Sequence, residues 1–161
     1  MNTISTDVVR TQSLLFGTTF EGTKVKFTEE GGLAIKMTNR TSKQSIKGYL
    51  VRVSRAVDLA VELVAVNSPD TIGVFYEDGV ADGDEVWVVV SGLADVYFFN
   101  APTRGHLARS LITADGGYDG VVRSEAFPSP PFATDKHFCE IGHVLESKAS
   151  AGLARCLLHF N

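Results

Sequence analysis

The sequence lacks the features that mark a membrane-spanning, exported or nucleic-acid-binding chain. None of its apolar runs approaches the roughly 18 residues that a membrane-spanning helix needs. Residues 1–20 have neither the basic start nor the continuous apolar stretch of a signal peptide. The net charge is −4, and no cluster of lysine and arginine offers a footprint for nucleic acid. We therefore expect a protein that is synthesised in a cytoplasm and contacts neither a membrane nor nucleic acid directly.

Cysteine is scarce, and its two occurrences lie among histidines near the end of the chain. Cys139 and Cys156 share the last 25 residues with His137, His143 and His159. In a cytosol, two such cysteines are expected to be buried thiols rather than a disulfide. The spacing of Cys156 and His159 is zinc-like, but residues three apart on a strand point to opposite faces. Zinc needs four converging ligands, so we predict no metal site and no cofactor.

Long helical periodicity is also missing, and apolar residues recur instead at every second position. This spacing is typical of strands with one buried face, and it occurs at residues 23–27 and 33–38. Residues 56–66 fit both periods, and their β-branched residues favour a strand. The predicted fold class is mainly β, with a β-rich domain at residues 23–161 and a loop-rich insertion around residues 100–136.

Residues 1–22 have no sustained period, yet they contain four large apolar side chains. These are Leu14, Leu15, Phe16 and Phe20. Leaving such side chains in water is unfavourable. Two hypotheses stay open for this segment, namely a disordered tail and an arm that folds onto a partner.

One outline occurs twice along the chain. Its first copy is Ile72-Gly73, Glu77, Gly83 and the run Val86–Val90, and its second is Ile141-Gly142, Glu146, Gly152 and Cys156–Leu158. Each copy predicts a short strand, a turn that contains glycine, and a second strand. The glycines permit bulges and tight turns. The two glutamates can cap loops or face neighbouring subunits, and a solvated surface position is the simplest interpretation.

Two apolar runs offer more surface than one small sheet usually buries. Val86–Val90 is apolar on both faces, which predicts a central strand or a subunit contact. Leu157–Phe160 is a second such run. We therefore expect self-association as a homotrimer. The residues predicted to form its interface are Trp87, Val89, Leu158 and Phe160.

No complete catalytic motif is present, because the sequence has no Gly-x-Ser-x-Gly elbow, dinucleotide fingerprint or phosphate loop. Two segments, Arg104–Ala108 and Asp115–Gly120, are similar to motifs of deoxyuridine triphosphatase, a trimeric β enzyme. The serine of its phosphate loop is absent here, and Asp119 stands in place of the family's arginine. An added carboxylate is unfavourable beside a triphosphate. We predict no enzymatic activity and keep this nucleotide hydrolase as an alternative.

Several stretches, taken in their order along the chain, resemble tailed-phage head-decoration proteins, which are also called capsid cement proteins. They are Gly32–Thr41 followed by Ile46–Val51, then Ile72–Gly92, and finally Glu140–Ser147 with the closing Leu158–Asn161. The order of the stretches carries more weight than any single one. The segment at residues 101–136 carries little of the resemblance.

The resemblance implies a non-enzymatic virion protein with a small β-barrel-like or β-tulip-like domain. Such a protein would bind the outer surface of a phage capsid, commonly as a trimer, and stabilise the shell by bridging subunits of the major capsid protein. Residues 1–22 would then be the capsid-binding arm. Another virion module, such as a head-fibre base, a tail-tube protein or a spike, remains an alternative.

Overall fold

The structure, a computed structural model, describes residues 24–127 and 139–159. These residues form ten strands and one short 3-10 helix, Thr113–Asp115. The strands are β1 Val25–Phe27, β2 Gly32–Asn39, β3 Leu50–Val53, β4 Ala60–Leu63, β5 Gly73–Phe75, β6 Glu85–Phe98, β7 Leu107–Ser110, β8 Val122–Glu125, β9 Glu140–Val144 and β10 Gly152–Leu158. The predicted fold class, mainly β with a barrel-like domain, is confirmed. Within residues 24–127 and 139–159, no helix is long and apolar enough to span a bilayer.

The first hairpin forms where the alternating pattern predicts it. β1 pairs with β2 in antiparallel register, with Val25 opposite Ile35. The turn between them is closed by a hydrogen bond of 2.8 Å from the Thr28 N–H to the Gly32 carbonyl. Gly31 in this turn has a φ of 99°, a conformation that glycine adopts without the steric cost other residues carry.

β6 is the long strand around which two rings of strands close. Its first half pairs with β2 and β5, and its second half pairs with β10. The pairings β2–β4–β3–β5–β6–β2 close the first ring, and the pairings β6–β10–β9–β7–β8–β6 close the second. The last link is a single parallel pair, Phe98 with Val122. Val86–Val90 is therefore central, one of the two positions that its apolar faces predict.

Each ring has its own apolar cluster. Residues from all five strands of the first ring meet around Phe75 and Val88, as expected for side chains that point into a closed ring. A larger cluster, which includes Phe98, Ile141 and Leu158, collects residues from all five strands of the second ring and continues along the first. The two clusters together cover both faces of several strands, so that β5 is buried throughout and β7 buries three consecutive residues.

The repeated outline folds as the sequence predicts. β5 and β6 form the antiparallel strands of one copy, and β9 and β10 form those of the other. The two glutamates have equivalent roles, because Glu77 accepts the Trp87 N–H at 3.1 Å and Glu146 accepts the Arg155 N–H at 3.3 Å. Both side chains therefore accept a hydrogen bond from a backbone N–H in the second strand of their copy.

The segment around residues 100–136 contains more strand than its sequence indicates. β7 and β8 both lie within it and pair antiparallel, and residues 128–136 fall outside the described part of the chain. β7 reads Leu-Ala-Arg-Ser and β8 reads Val-Arg-Ser-Glu. Such short, polar strands contain too few apolar residues to show an alternating pattern. Their structure depends on neighbours distant in sequence, including β9, which pairs with β7.

Candidate functional site

Three of the four residues predicted to form a subunit interface are buried within the chain itself. Val89 is 1% exposed, Leu158 is 2% exposed and Trp87 is 9% exposed, and all three belong to the large apolar cluster. Their side chains contact the chain's own core and are not available to a partner. Phe160, like the predicted arm residues Leu14, Leu15, Phe16 and Phe20, lies outside the described residues.

Trp87 also has a role at the surface. The Lys26 ammonium lies 4.5 Å from the centre of the Trp87 ring and 4.4 Å from that of Tyr76, and Lys36 lies 4.9 Å from Trp87. Burial lowers the pKa of Lys26, because the ammonium is partly removed from water. These cation–π contacts join β1 and β2 to Trp87 on β6, and β1 to Tyr76, the residue that follows β5.

β1 presents an exposed apolar face at an edge of the sheet. Val25 is 52% exposed and Phe27 is 62% exposed, and the two residues lie on the same side of the strand. Among the described strands, β1 pairs only with β2. An edge strand with apolar side chains is a surface on which another chain can add a strand. The sequence analysis missed this face because Val25 and Phe27 have the pattern of core residues.

A second exposed apolar surface lies on the outer side of β10. Leu153 and Leu157 alternate with the buried residues Ala154, Cys156 and Leu158. Both leucines are more than one-third exposed. The run Leu157–Leu158 therefore divides between core and surface, and its exposed member is not one that the sequence analysis selected for an interface.

Two histidines and a glutamate converge beside this surface. The Glu140 Oε1 atom lies 3.5 Å from the Nε2 atom of His159 and 3.9 Å from the Nε2 atom of His143. The centres of the two imidazole rings are 4.8 Å apart. Phe127 stacks on His143 with ring centres 5.6 Å apart and an angle of 22° between the planes. One donor atom from each of the three residues lies within 4.8 Å of the others, which is compatible with a metal ion.

A β-bulge explains why Glu140 and His143 share a face although they are three residues apart. In the pairing of β9 with β7, the register shifts between Ala108 and Arg109. Ile141 and Val144 are both buried as a result, and Glu140 and His143 both point outward. Regular alternation excludes this arrangement, and a bulge permits it. The predicted divergence of Cys156 and His159 is confirmed, because Cys156 is fully buried and His159 is partly exposed.

The two cysteines are free and buried, as the sequence predicts. Burial raises the pKa of the Cys156 thiol to about 12, and the nearby Asp95 carboxylate adds to the increase. Cys156 is therefore a neutral thiol at physiological pH, which makes it a poor nucleophile and a poor metal ligand.

The acidic residues of the deoxyuridine-triphosphatase-like segment hold the fold together. Both carboxylate oxygens of Asp115 accept hydrogen bonds from the buried Arg109, at 2.7 and 3.1 Å. Asp115 also accepts the Ile112 N–H at 2.8 Å. Asp119 accepts the Val66 N–H at 2.9 Å. These contacts give both carboxylates structural roles.

Comparisons with known proteins identify a likeness of fold. No protein-family model matches the chain, and no curated protein matches it. Among solved structures, the chain is similar to the N base of the head fibre protein gp8.5 of bacteriophage phi29, with a TM-score of 0.52 and 20% sequence identity. The match covers 78% of this chain and 94% of that base. The two chains share a fold.

The matched protein is a head-fibre base, and the sequence resemblance was to head-decoration proteins. A head-fibre base is one of the alternatives that the sequence analysis left open. At this level of identity the likeness establishes the architecture, and it assigns no functional residue.

Proposed function

We propose that the chain is a non-enzymatic structural protein of a tailed-phage head that attaches to the outer surface of the capsid as a base module. The observation that carries this proposal is the likeness of fold to the head-fibre base, which extends over 94% of that base. The sequence resemblance to head-decoration proteins supports the same location on the virion. Two independent similarities therefore favour a protein of the phage head.

The attachment surface that we propose combines residues 1–22 with the exposed face of β1. The arm leads into β1 through only two residues, so its apolar side chains and those of Val25 and Phe27 lie close in sequence. A capsid subunit could pair its own strand with the edge of β1 and cover these side chains. Backbone hydrogen bonds would supply affinity, and the apolar contacts would supply specificity.

Phe27→Asp should reduce occupancy on capsids at least about tenfold, because a carboxylate would have to be desolvated at the apolar contact. The Phe27 side chain is largely exposed, so the variant should fold. Occupancy can be measured by mixing purified protein with expanded shells of the phage that encodes it and separating bound from free protein by sedimentation.

Leu145→Asp is the matched control, because Leu145 is an exposed apolar residue outside β1. It should bind as the unmodified chain does. Deletion of residues 1–20 should also reduce occupancy and leave the fold intact, since β1 begins at Val25. Undiminished binding by both Phe27→Asp and the deletion variant would contradict this attachment surface, and no binding by the unmodified chain would contradict the proposed function.

Stabilisation of the shell is a second candidate function, which the resemblance to capsid cement proteins favours. A cement protein bridges neighbouring major capsid subunits and raises the temperature at which the shell opens, whereas a fibre base only attaches. Heating shells with and without bound protein separates the two functions. A higher opening temperature with the protein bound supports bridging, and an unchanged temperature supports a base.

Self-association would use the outer side of β10, now that Val89 and Leu158 are assigned to the core. We expect a trimer in which Leu153 and Leu157 lie at the contact, because both are exposed apolar residues on one face. Leu157→Asp should convert the trimer to a monomer in sedimentation equilibrium. A monomeric unmodified chain at high concentration, or a trimer that persists in the variant, would contradict this contact.

A further inference from the structure

We propose that Glu140, His143 and His159 form a binding site for a divalent transition metal ion of the zinc class, which joins β9 to the end of β10. The site would bind the ion through two imidazole nitrogens and one carboxylate oxygen. This donor set suits zinc, cobalt, nickel and copper and does not suit calcium or magnesium, which prefer oxygen ligands.

The backbone positions the three ligands before any ion binds. Leu157 is directly opposite His143 in the antiparallel register, and the His159 N–H donates to the Ile141 carbonyl at 3.0 Å. His159 lies two residues beyond Leu157 and points to the same side of the sheet as His143. The bulge brings Glu140 to that side as well. Paired strands with buried neighbours therefore support all three ligands.

The three ligand atoms are already close to the separations that a bound ion requires. Two donor atoms that lie about 2.0 Å from a tetrahedral ion are about 3.4 Å apart. Glu140 and His159 are already 3.5 Å apart, and Glu140 and His143 are 3.9 Å apart. The distance that must shorten most is the one between the imidazole nitrogens of His143 and His159. These side chains are 37% and 39% exposed and can rotate toward each other.

The surroundings favour a partly open site. The Glu140 side chain is only 9% exposed, so its carboxylate lies on the protein side of the ion, while the imidazoles border solvent. Phe127 covers one face of His143 and restricts its ring orientation. Three protein ligands leave a fourth position for water or for a group from a partner. The Cys156 thiol does not compete for the ion, because it is fully buried on the opposite face of β10.

The test uses chelator-treated full-length protein and zinc chloride as the probe. Titration calorimetry should give one ion per chain, and zinc should raise the midpoint of thermal unfolding in a manner that a chelator reverses. His143→Gln and His159→Gln should each weaken binding at least about tenfold, since each removes a direct ligand. His106→Gln is the control, because His106 lies outside the cluster beside Ser124, and it should bind zinc as the unmodified chain does.

A measurement on the unmodified chain keeps the test decisive if a variant fails to fold. In a proton–nitrogen spectrum of the histidine side chains, zinc should shift the signals of His143 and His159 and leave those of His106 in place. The site would be overturned if both histidine variants bound zinc as tightly as the unmodified chain, if zinc shifted the signals of neither ring, or if no saturable binding occurred at millimolar zinc.

Discussion

Gly142→Ala should lower the free energy of unfolding by about 4 kcal/mol, the sum of a steric clash and backbone strain of similar size. A Cβ atom at this position would lie 2.1 Å from the Leu157 carbonyl oxygen and 3.0 Å from the Leu157 carbonyl carbon. Both contacts are with the backbone of β10, which cannot move aside as a flexible side chain can. The φ of 153° adds strain for any residue with a side chain. Urea denaturation measures the loss.

Gly152→Ala is the matched control. Gly152 has a similar φ of 139°, but a Cβ atom there would have no neighbour within 4 Å. This variant carries only the backbone strain, which is about 1–2 kcal/mol. Equal losses in the two variants would show that the close approach of Leu157 does not constrain β9.

Gly142→Ala should also weaken zinc binding, since the bulge places Glu140 and His143 on one face.

Arg109→Met should destabilise the fold by about 3–5 kcal/mol, the usual cost of removing one partner from a buried ion pair. The Arg109 side chain is 3% exposed and donates to Asp115, to Glu125 and to the Ser110 carbonyl. Its loss leaves the largely buried Asp115 carboxylate with weaker compensation, from the Ile112 N–H at 2.8 Å and Arg123 at 3.4 Å. The midpoint of urea denaturation should fall accordingly.

Arg40→Met is the control for this substitution, because it also removes an arginine from an ion pair. Arg40 lies 3.6 Å from Asp82, and both side chains are at least 36% exposed. Exposed pairs of this kind contribute about 0–1 kcal/mol. Similar losses in the two variants would contradict a special role for the Arg109 network.

The effect of Arg109→Met should depend on pH. Burial alone would raise the pKa of Asp115, but the hydrogen bonds from Arg109 and the Ile112 N–H outweigh it and hold the pKa below its usual value. A depressed pKa in the folded state stabilises the protein above the unfolded pKa of about 3.9, and this stabilisation is lost as pH falls through the folded value. The difference between Arg109→Met and the unmodified chain should therefore be largest near neutral pH and narrow below about pH 4. A constant difference would show that Asp115 is not the coupled group.

The sequence alone does not show that Gly142 and Arg109 matter for stability. Gly142 and Gly152 are the two glycines in the second copy of the repeated outline, and only the structure shows that Gly142 is crowded and Gly152 is not. Arg109 stands in a segment predicted to be loop. Its burial follows from the pairing of β7 with β8 and β9, which joins residues that are far apart in sequence.

The local structure of this chain can be predicted from the sequence alone. Period-2 alternation predicted β1 and β2 and the turn between them, and the repeated outline predicted the hairpins β5–β6 and β9–β10. These features depend on neighbours along the chain, since alternation reports which residues share a face of one strand. The opposite orientations of Cys156 and His159 follow from the same local rule.

Which strand faces are covered, and which side chains converge, depends instead on how the strands pack together. Closure of two rings around β6 placed Val89 and Leu158 in the core and left Phe27 and Leu157 exposed. The bulge in β9 interrupted the alternation and brought Glu140 and His143 to one face, where His159 from the neighbouring strand lies beside them. Strand order, ring closure and bulges depend on contacts between distant segments. A pattern along the chain does not contain that information, because the same alternation fits several sheets.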